Sequence, residues 1–154
     1  MVARREIASW LNGPGVGSNT PSRYPGERLG RPQEGSGSVG RLGRRLLGIA
    51  VDWLLSWLVA RAFLAPLQGW GPLLVLFVEH TLLIGTAGFS IGHRIAGLRV
   101  VAVDGPNSPD GAPAGPLRAL LRSALLCLAL PPLIWDSDQR GLHDKLAGTV
   151  VVRI

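Results

Sequence analysis

The sequence predicts an all-α membrane protein: a helical hairpin, a third membrane-associated helix that is spanning or re-entrant, and a small cytoplasmic patch of two strands. Three observations carry that expectation. Only 17% of the 154 residues are charged, the apolar residues gather into three long blocks, and basic residues flank those blocks. The net charge of +6 therefore suits membrane orientation and contact with anionic lipid. Nucleic acid is excluded as a partner, because no aromatic or basic recognition pattern accompanies the charge. The partners to expect are the lipid bilayer and either a second copy of the chain or another membrane protein. A single cysteine, Cys127, excludes an intramolecular disulfide and a cysteine metal cluster, and its place in an apolar helix points to inert packing.

Residues 1–40 are rich in Gly, Pro, Ser and Arg and hold too few apolar side chains to offset the entropy of ordering. They predict a disordered cytoplasmic tail with solvated Arg4, Arg5, Arg23, Arg28 and Arg31, followed by a membrane domain over 41–154. The first apolar segment, 46–65, is close to the roughly 20 residues a bilayer requires. PLQGWGP then forms a tight loop with Trp70 at an interface, and the second segment, 71–87, returns across. Arg41, Arg44 and Arg45 precede this hairpin, His93, Arg94 and Arg99 follow it, and its connecting loop has no charge. Both outer ends are thus expected in the cytoplasm, with Arg61 snorkelling outward at the opposite end.

Leu98 to Val103 is β-branched and runs into an Asp-Gly turn signal, so it predicts a short strand. The third apolar segment, 117–135, is cut by Arg118 and Arg122 at one end and by Pro131 and Pro132 at the other. About eight uninterrupted residues remain, well short of a span. GTVVVRI at the end of the chain can pair with the first strand only if both lie on one side of the membrane. That pairing, and the charges of Arg140, Lys145 and Arg153, favour a re-entrant or interfacial third helix with a cytoplasmic C-terminus over a third crossing.

The chemistry concentrates in the hairpin. Arg45 and Asp52 are two helical turns apart, on one face and about 10 Å from each other along the axis, too far to touch. An unpaired intramembrane carboxylate is costly, so Asp52 should face protein or water. Counted from the cytoplasmic ends, Asp52 lies roughly 9 Å deep and His80 roughly 12 Å, so the two can meet across the helix pair. With Glu79 they form the candidate proton or cation path in the membrane. The competing reading has Asp52 paired with His80 or Arg45, and Glu79 facing a neighbouring helix or subunit, to orient packing. Gly88 and Gly92 have GxxxG spacing but fall where turn chemistry is expected. GFSIG matches a nucleophile elbow around Ser90, with His143 and Asp136 or Asp138 downstream, yet a membrane helix stands where the motif needs a strand. DSDQRG opens like a calcium loop, but Arg140 replaces an acidic ligand and Ala147 stands where the closing Glu belongs. Near the C-terminus, Arg140, His143, Asp144 and Lys145 are a candidate cytoplasmic ion-pair cluster with Arg94 and Arg99. No catalytic residue, metal or cofactor is expected.

The chain resembles the RDD family of small bacterial membrane proteins, named for one arginine and two aspartates. The resemblance covers about Gly40 to Ile154 and rests on RRLLGIAVDWLL, GFSIGHRIAGLRVVAVDG, LRALLRS and RGLHDKLAGTVVV in that order. It implies that Arg45, Asp52 and Asp144 are the three naming residues. The family's usual Gly-Gln-Thr-x-Gly-Lys run reads Gly88, Phe89, Ser90, Ile91, Gly92, His93 in this chain. The resemblance implies a bacterial inner (plasma) membrane address and no firm activity, cation/proton exchange having been suggested for some members. The expectation is a non-enzymatic membrane scaffold or interaction protein. The alternative is an oligomeric proton-coupled cation transporter using Asp52 and Glu79, oligomeric because two spanning helices cannot enclose a pathway.

Overall fold

In a computed structural model of the chain, residues 22–103, 112–128 and 139–154 are described. Helix α1 (Leu42–Phe63) starts upstream of the apolar block, because the side chains of its first turn find acceptors. Arg44 donates to the Ala96 carbonyl at 3.1 Å and Arg45 to the Gly40 carbonyl at 2.9 Å. The buried positions of α1 are Arg45, Gly48, Asp52, Ser56 and Ala60, a stripe of period three to four that is polar or small throughout. Its remaining surface carries exposed leucines, Trp53, Trp57 and Phe63. A 3-10 turn, Ala65–Trp70, returns the chain into α2 (Gly71–Thr86), with a proline in the first turn where a missing N–H is harmless. Among the described residues, α1 is the one helix long and apolar enough to cross a membrane, and α2 is a shorter apolar helix.

After α2 the backbone turns at Gly88 (φ +82°) and enters the short α3 (Ile91–Ile95), then β1 (Leu98–Ala102). The Gly88/Gly92 pair thus divides its work: Gly88 makes the turn, and Gly92 lies backbone to backbone against Gly48 of α1 with no space for a Cβ. Helix α4 (Pro116–Cys127) packs on α2, burying Ala119, Arg122, Ser123 and Leu126 on one face. Helix α5 (Leu142–Leu146) leads into β2 (Thr149–Arg153). The strands pair antiparallel, from Leu98 opposite Arg153 to Ala102 opposite Thr149. The predicted strand pairing is present, and it makes the fold mostly helical with a small sheet.

The sheet joins two apolar clusters. Leu98, Val100 and Val151 pack against Ile84 of α2, Ala119 of α4, and Ala96 and Ala114. Val101, Val150 and Val152 pack with Val39, Leu29 and Val103. Val39 and Leu29 belong to the segment assigned to a disordered tail, and here the structure differs. Residues 22–40 form an arm with a 3-10 turn at Glu27–Leu29. Gly37 N donates to Arg153 O, Arg153 N to Ser38 O and Gly40 N to Val151 O, each at 2.9 Å. Composition is a poor guide there because the unpaired edge of β2 supplies the hydrogen bonds and Val39 the burial. Residues 1–21 of that tail, and 129–138 at the far end of the third apolar segment, lie outside the described residues.

Candidate functional site: a buried ionic network

The polar stripe of α1 feeds a network that crosses the centre of the molecule. Arg45 reaches Asp144 Oδ2 at 3.1 Å through Nη1 and the Val151 carbonyl at 3.2 Å through Nη2. It therefore ties α1 to the arm, to α5 and to β2. The other oxygen of Asp144, Oδ1, accepts from Arg122 Nε at 2.7 Å. Arg122 Nη1 lies 3.5 Å from His80 Nδ1, and Nη2 lies 3.5 Å from His93 Nε2. On the far side of the two rings, His80 Nε2 is 3.0 Å from Asp52 Oδ2. Ser90 Oγ is 2.5 Å both from Asp52 Oδ2 and from His93 Nδ1. Gly92 N donates to Asp52 Oδ1 at 2.6 Å. Asp52, His80, Ser90 and Asp144 have no exposed surface. Arg45 and Asp52 do not touch; Asp144, Arg122 and the two histidines link them.

The protonation pattern follows from donor arithmetic. A guanidinium only donates, so the ring nitrogens facing Arg122 are acceptors, and each imidazole carries its proton on the opposite nitrogen. His80 Nε2–H then donates to Asp52, His93 Nδ1–H to Ser90, and the Ser90 hydroxyl to Asp52. With both rings neutral, two arginines balance two aspartates and the buried network is uncharged, as its desolvation demands. Burial pushes His93 down to about 4; the neighbouring Arg122 charge acts in the same direction, against the hydrogen bond to Asp52. Burial alone would raise Asp144, but Arg122, then His143 and Arg45, hold it well below the ordinary carboxylate range.

A pH dependence follows. His93 falls from 6.5 to about 4 on folding, so the unfolded chain binds the extra proton between those values. The stability His93 contributes is complete above pH 6.5 and is lost as the pH drops toward 4, by about 3 kcal/mol in all. Asp144, depressed on folding, loses its contribution only below its ordinary 3.8. Melting temperature in detergent should therefore fall from pH 6.5 to 4, with a shallower slope in His93→Gln. An equal slope in parent and variant would remove His93 as the cause.

Asp52, His80 and His93 also place three ligand atoms within 4.8 Å of one another, a set suited to a first-row divalent cation. The network around them fits such an ion poorly. The inner nitrogens carry protons in the tautomers that Arg122 imposes, and a divalent ion would bring two positive charges into a neutral buried cluster.

The other predicted site residues are placed as follows. Glu79 is half-buried and accepts from Ile91 N at 3.4 Å. With Asp52 on Gly92 N and Ser90 Oγ on His93 N at 3.2 Å, it satisfies one of three successive amides at the start of α3. Asp144 does not gather Arg94, Arg99 and Lys145. Among the described residues its ion-pair partners are Arg45 and Arg122, with His143 Nε2 at 3.6 Å. Arg94 lies over the Phe89 ring at 5.3 Å, Arg99 sits in β1, and Arg140 and Lys145 are partly exposed at and beside α5. The correction has a physical reason: the buried arginines have lost water and require the carboxylate more than exposed ones do. Ser90 follows a turn, is fully buried, and binds Asp52 and His93 rather than His143. Asp136 and Asp138, proposed for the elbow and the calcium loop, lie outside the described residues.

Sequence reasoning missed Arg122, Ser90 and His93 as members. The usable signals were an arginine inside an apolar helix, which demands a counter-charge, and Ser-x-x-His spacing at a helix start. Comparison of the chain with family models, with curated proteins and with solved structures finds no match.

Proposed function

We propose that the chain is a non-enzymatic integral membrane protein of the RDD family, a scaffold or interaction protein of the bacterial inner membrane with its N-terminus in the cytoplasm. The observation that carries the membrane reading is the inverted pattern of α1. Its inward stripe is Arg45, Gly48, Asp52, Ser56 and Ala60, while large apolar side chains face outward. A water-soluble helix has the opposite arrangement, whereas lipid accepts an apolar exterior around a polar, hydrogen-bonded interior. Helices α1 and α2 form the membrane hairpin. Helix α4, at 12 residues, would reach only about 18 Å against a hydrocarbon core of about 30 Å, so it is interfacial or re-entrant. The C-terminus lies on the cytoplasmic side, because β2 pairs with β1 and with the arm.

The scaffold reading draws on the saturation of Asp52. His80, Ser90 and Gly92 all engage its carboxylate, and the network they belong to clamps α1, α2, α3, α4 and α5 together. A carboxylate that exchanges cations needs a free coordination position and a route to water. The test is Asp52→Asn in reconstituted lipid vesicles. The parent should enter the bilayer and carry no cation-driven proton flux above protein-free vesicles. The variant should insert but lose on the order of 1–3 kcal/mol of stability in detergent. Flux in the parent that Asp52→Asn abolishes would replace the scaffold reading with proton-coupled cation transport through Asp52 and Glu79. A parent that stays out of the bilayer would remove the membrane reading itself.

A further inference from the structure

Helix α4 runs alongside α2 for almost its whole length. At the start of α4, a Cβ on Gly85 would stand 3.1 Å from Pro116 Cα and 3.4 Å from Ala119 Cβ. Further along, Arg122 Nη1 lies 3.5 Å from His80 Nδ1, and in the last turn the Cys127 thiol meets the Leu73 carbonyl at 3.9 Å. The facing positions on α2 thus fall from Gly85 through His80 to Leu73 as α4 advances, which makes the two helices antiparallel neighbours. By Asp144 the chain has returned, since that carboxylate accepts from Arg122. We propose that α4 is re-entrant rather than interfacial: it descends beside α2 into the outer half of the bilayer, and its exposed row of Leu117, Leu120, Leu121, Ala124 and Leu128 is a surface for lipid acyl chains. This inference rests on the membrane reading of the hairpin given above.

Three lines of argument meet here. First, depth: Leu73 is two residues from Gly71, the outer end of α2, so the last turn of α4 lies within about 3 Å of that level. A helix lying flat on the surface would meet a spanning helix at one level only. Second, sidedness: every exposed position from Pro116 to Leu128 is apolar. Arg118 donates to the Gly148 carbonyl at 3.1 Å, Arg122 is 1% exposed, and Ser123 donates to the Ala119 carbonyl at 2.7 Å. An interfacial helix keeps its basic face among headgroups and water, whereas the arginines of α4 are turned onto protein. Third, the chemistry of the face: bulky leucines with no polar group among them suit fluid acyl chains. A helix of a second copy would call for small residues that allow close approach, or for hydrogen bonds between helices.

A re-entrant α4 also accounts for an arginine at membrane depth. Arg122 is carried in on the protein-facing side of α4, and Asp144 follows it from the cytoplasmic side at 2.7 Å. A charge inside the hydrocarbon region is tolerated where it faces the interior and is paired. The outer face then has nothing to satisfy, and lipid can cover it.

The experiment measures depth with nitroxide spin labels on the full chain in phosphatidylcholine vesicles, from collision with oxygen against collision with a water-soluble nickel chelate. Cys127 is the single cysteine, so Cys127→Ala supplies a background for one label at a time. Leu120→Cys and Leu128→Cys report on α4, and Leu82→Cys and Leu74→Cys report on α2; all four leucines are exposed. The antiparallel pairing predicts that Leu120 reads the depth of Leu82, and Leu128 that of Leu74. Each pair is eight residues apart along its helix, so the label at Leu128 should lie about 12 Å deeper than that at Leu120, or about 9 Å for a strongly tilted helix. If Leu120→Cys does not fold, Leu121→Cys takes its place. Equal, shallow depths at Leu120 and Leu128, with Leu82 and Leu74 still separated in lipid, would overturn the re-entrant helix and leave the hairpin standing. Labels at Leu120 and Leu128 that neither oxygen nor nickel reaches, with dipolar broadening between copies, would assign the face to a second chain and overturn the lipid surface. All four labels open to the nickel chelate would remove the membrane reading and this proposal with it.

Discussion

Asp144→Asn is expected to lower stability in detergent by about 3–5 kcal/mol, the cost of leaving buried charge unpaired. Asp144 is the only carboxylate bonded to Arg45 and to Arg122 among the described residues, one oxygen to each, at 3.1 and 2.7 Å. Asparagine keeps the shape but removes the charge, and its amide nitrogen would present donors to one of two guanidiniums that cannot accept. Arg45 would retain the Gly40 and Val151 carbonyls. Arg122 would keep only its long contacts to the two rings, so most of the loss falls on it. Adding Arg122→Gln to Asp144→Asn should therefore cost less than the sum of the two single changes. Denaturant unfolding measures all three variants. A loss below about 1 kcal/mol for Asp144→Asn, the scale of an exposed pair, would falsify the central role assigned to this carboxylate.

Gly92→Ala is expected to cost about 3 kcal/mol or more by a different route. A Cβ at Gly92 would collide with the Gly48 carbonyl of α1 and stand 2.7 Å from Asp52 Oδ1. Neither neighbour can yield freely, since one is helix backbone and the other is held by hydrogen bonds. Helix α3 would have to retreat from α1, straining the backbone by overpacking. It would also lengthen the 2.6 Å hydrogen bond from Gly92 N to Asp52. Gly43→Ala is the matched control: it lies in the same α1, and its Cβ would meet nothing within 4 Å. That change should be neutral or stabilising by up to about 1 kcal/mol through helix propensity. If both substitutions behave alike, the close crossing of α1 and α3 is not limiting.

These two expectations mark where the sequence could be read and where it could not. Asp52 and His80 could be paired by counting helical rise from the flanking charges, because a hairpin has one free parameter, its register, and that count supplies it. The two strands were legible for a similar reason: β-branched runs bounded by turns announce themselves locally. Asp144 was legible as important and illegible as to its partners. It lies 99 positions from Arg45 and 22 from Arg122, and no local pattern ranks those arginines above Arg94 or Arg99. The arm was misread for a related reason. Val39 and Leu29 are isolated apolar residues among glycines and prolines, and their value appears only when Val101, Val150 and Val152 offer a face to cover.

By itself the sequence determined the helical hairpin's apolar exterior, the basic residues that flank it and the presence of two short strands, because hydropathy and periodicity act over a turn or a strand. Only the tertiary structure decided that Arg122, His80, His93 and Ser90 connect Asp144 to Asp52. Pairing depends on which buried donors and acceptors are left without water once the elements pack, and that is a property of the assembled interior rather than of any segment.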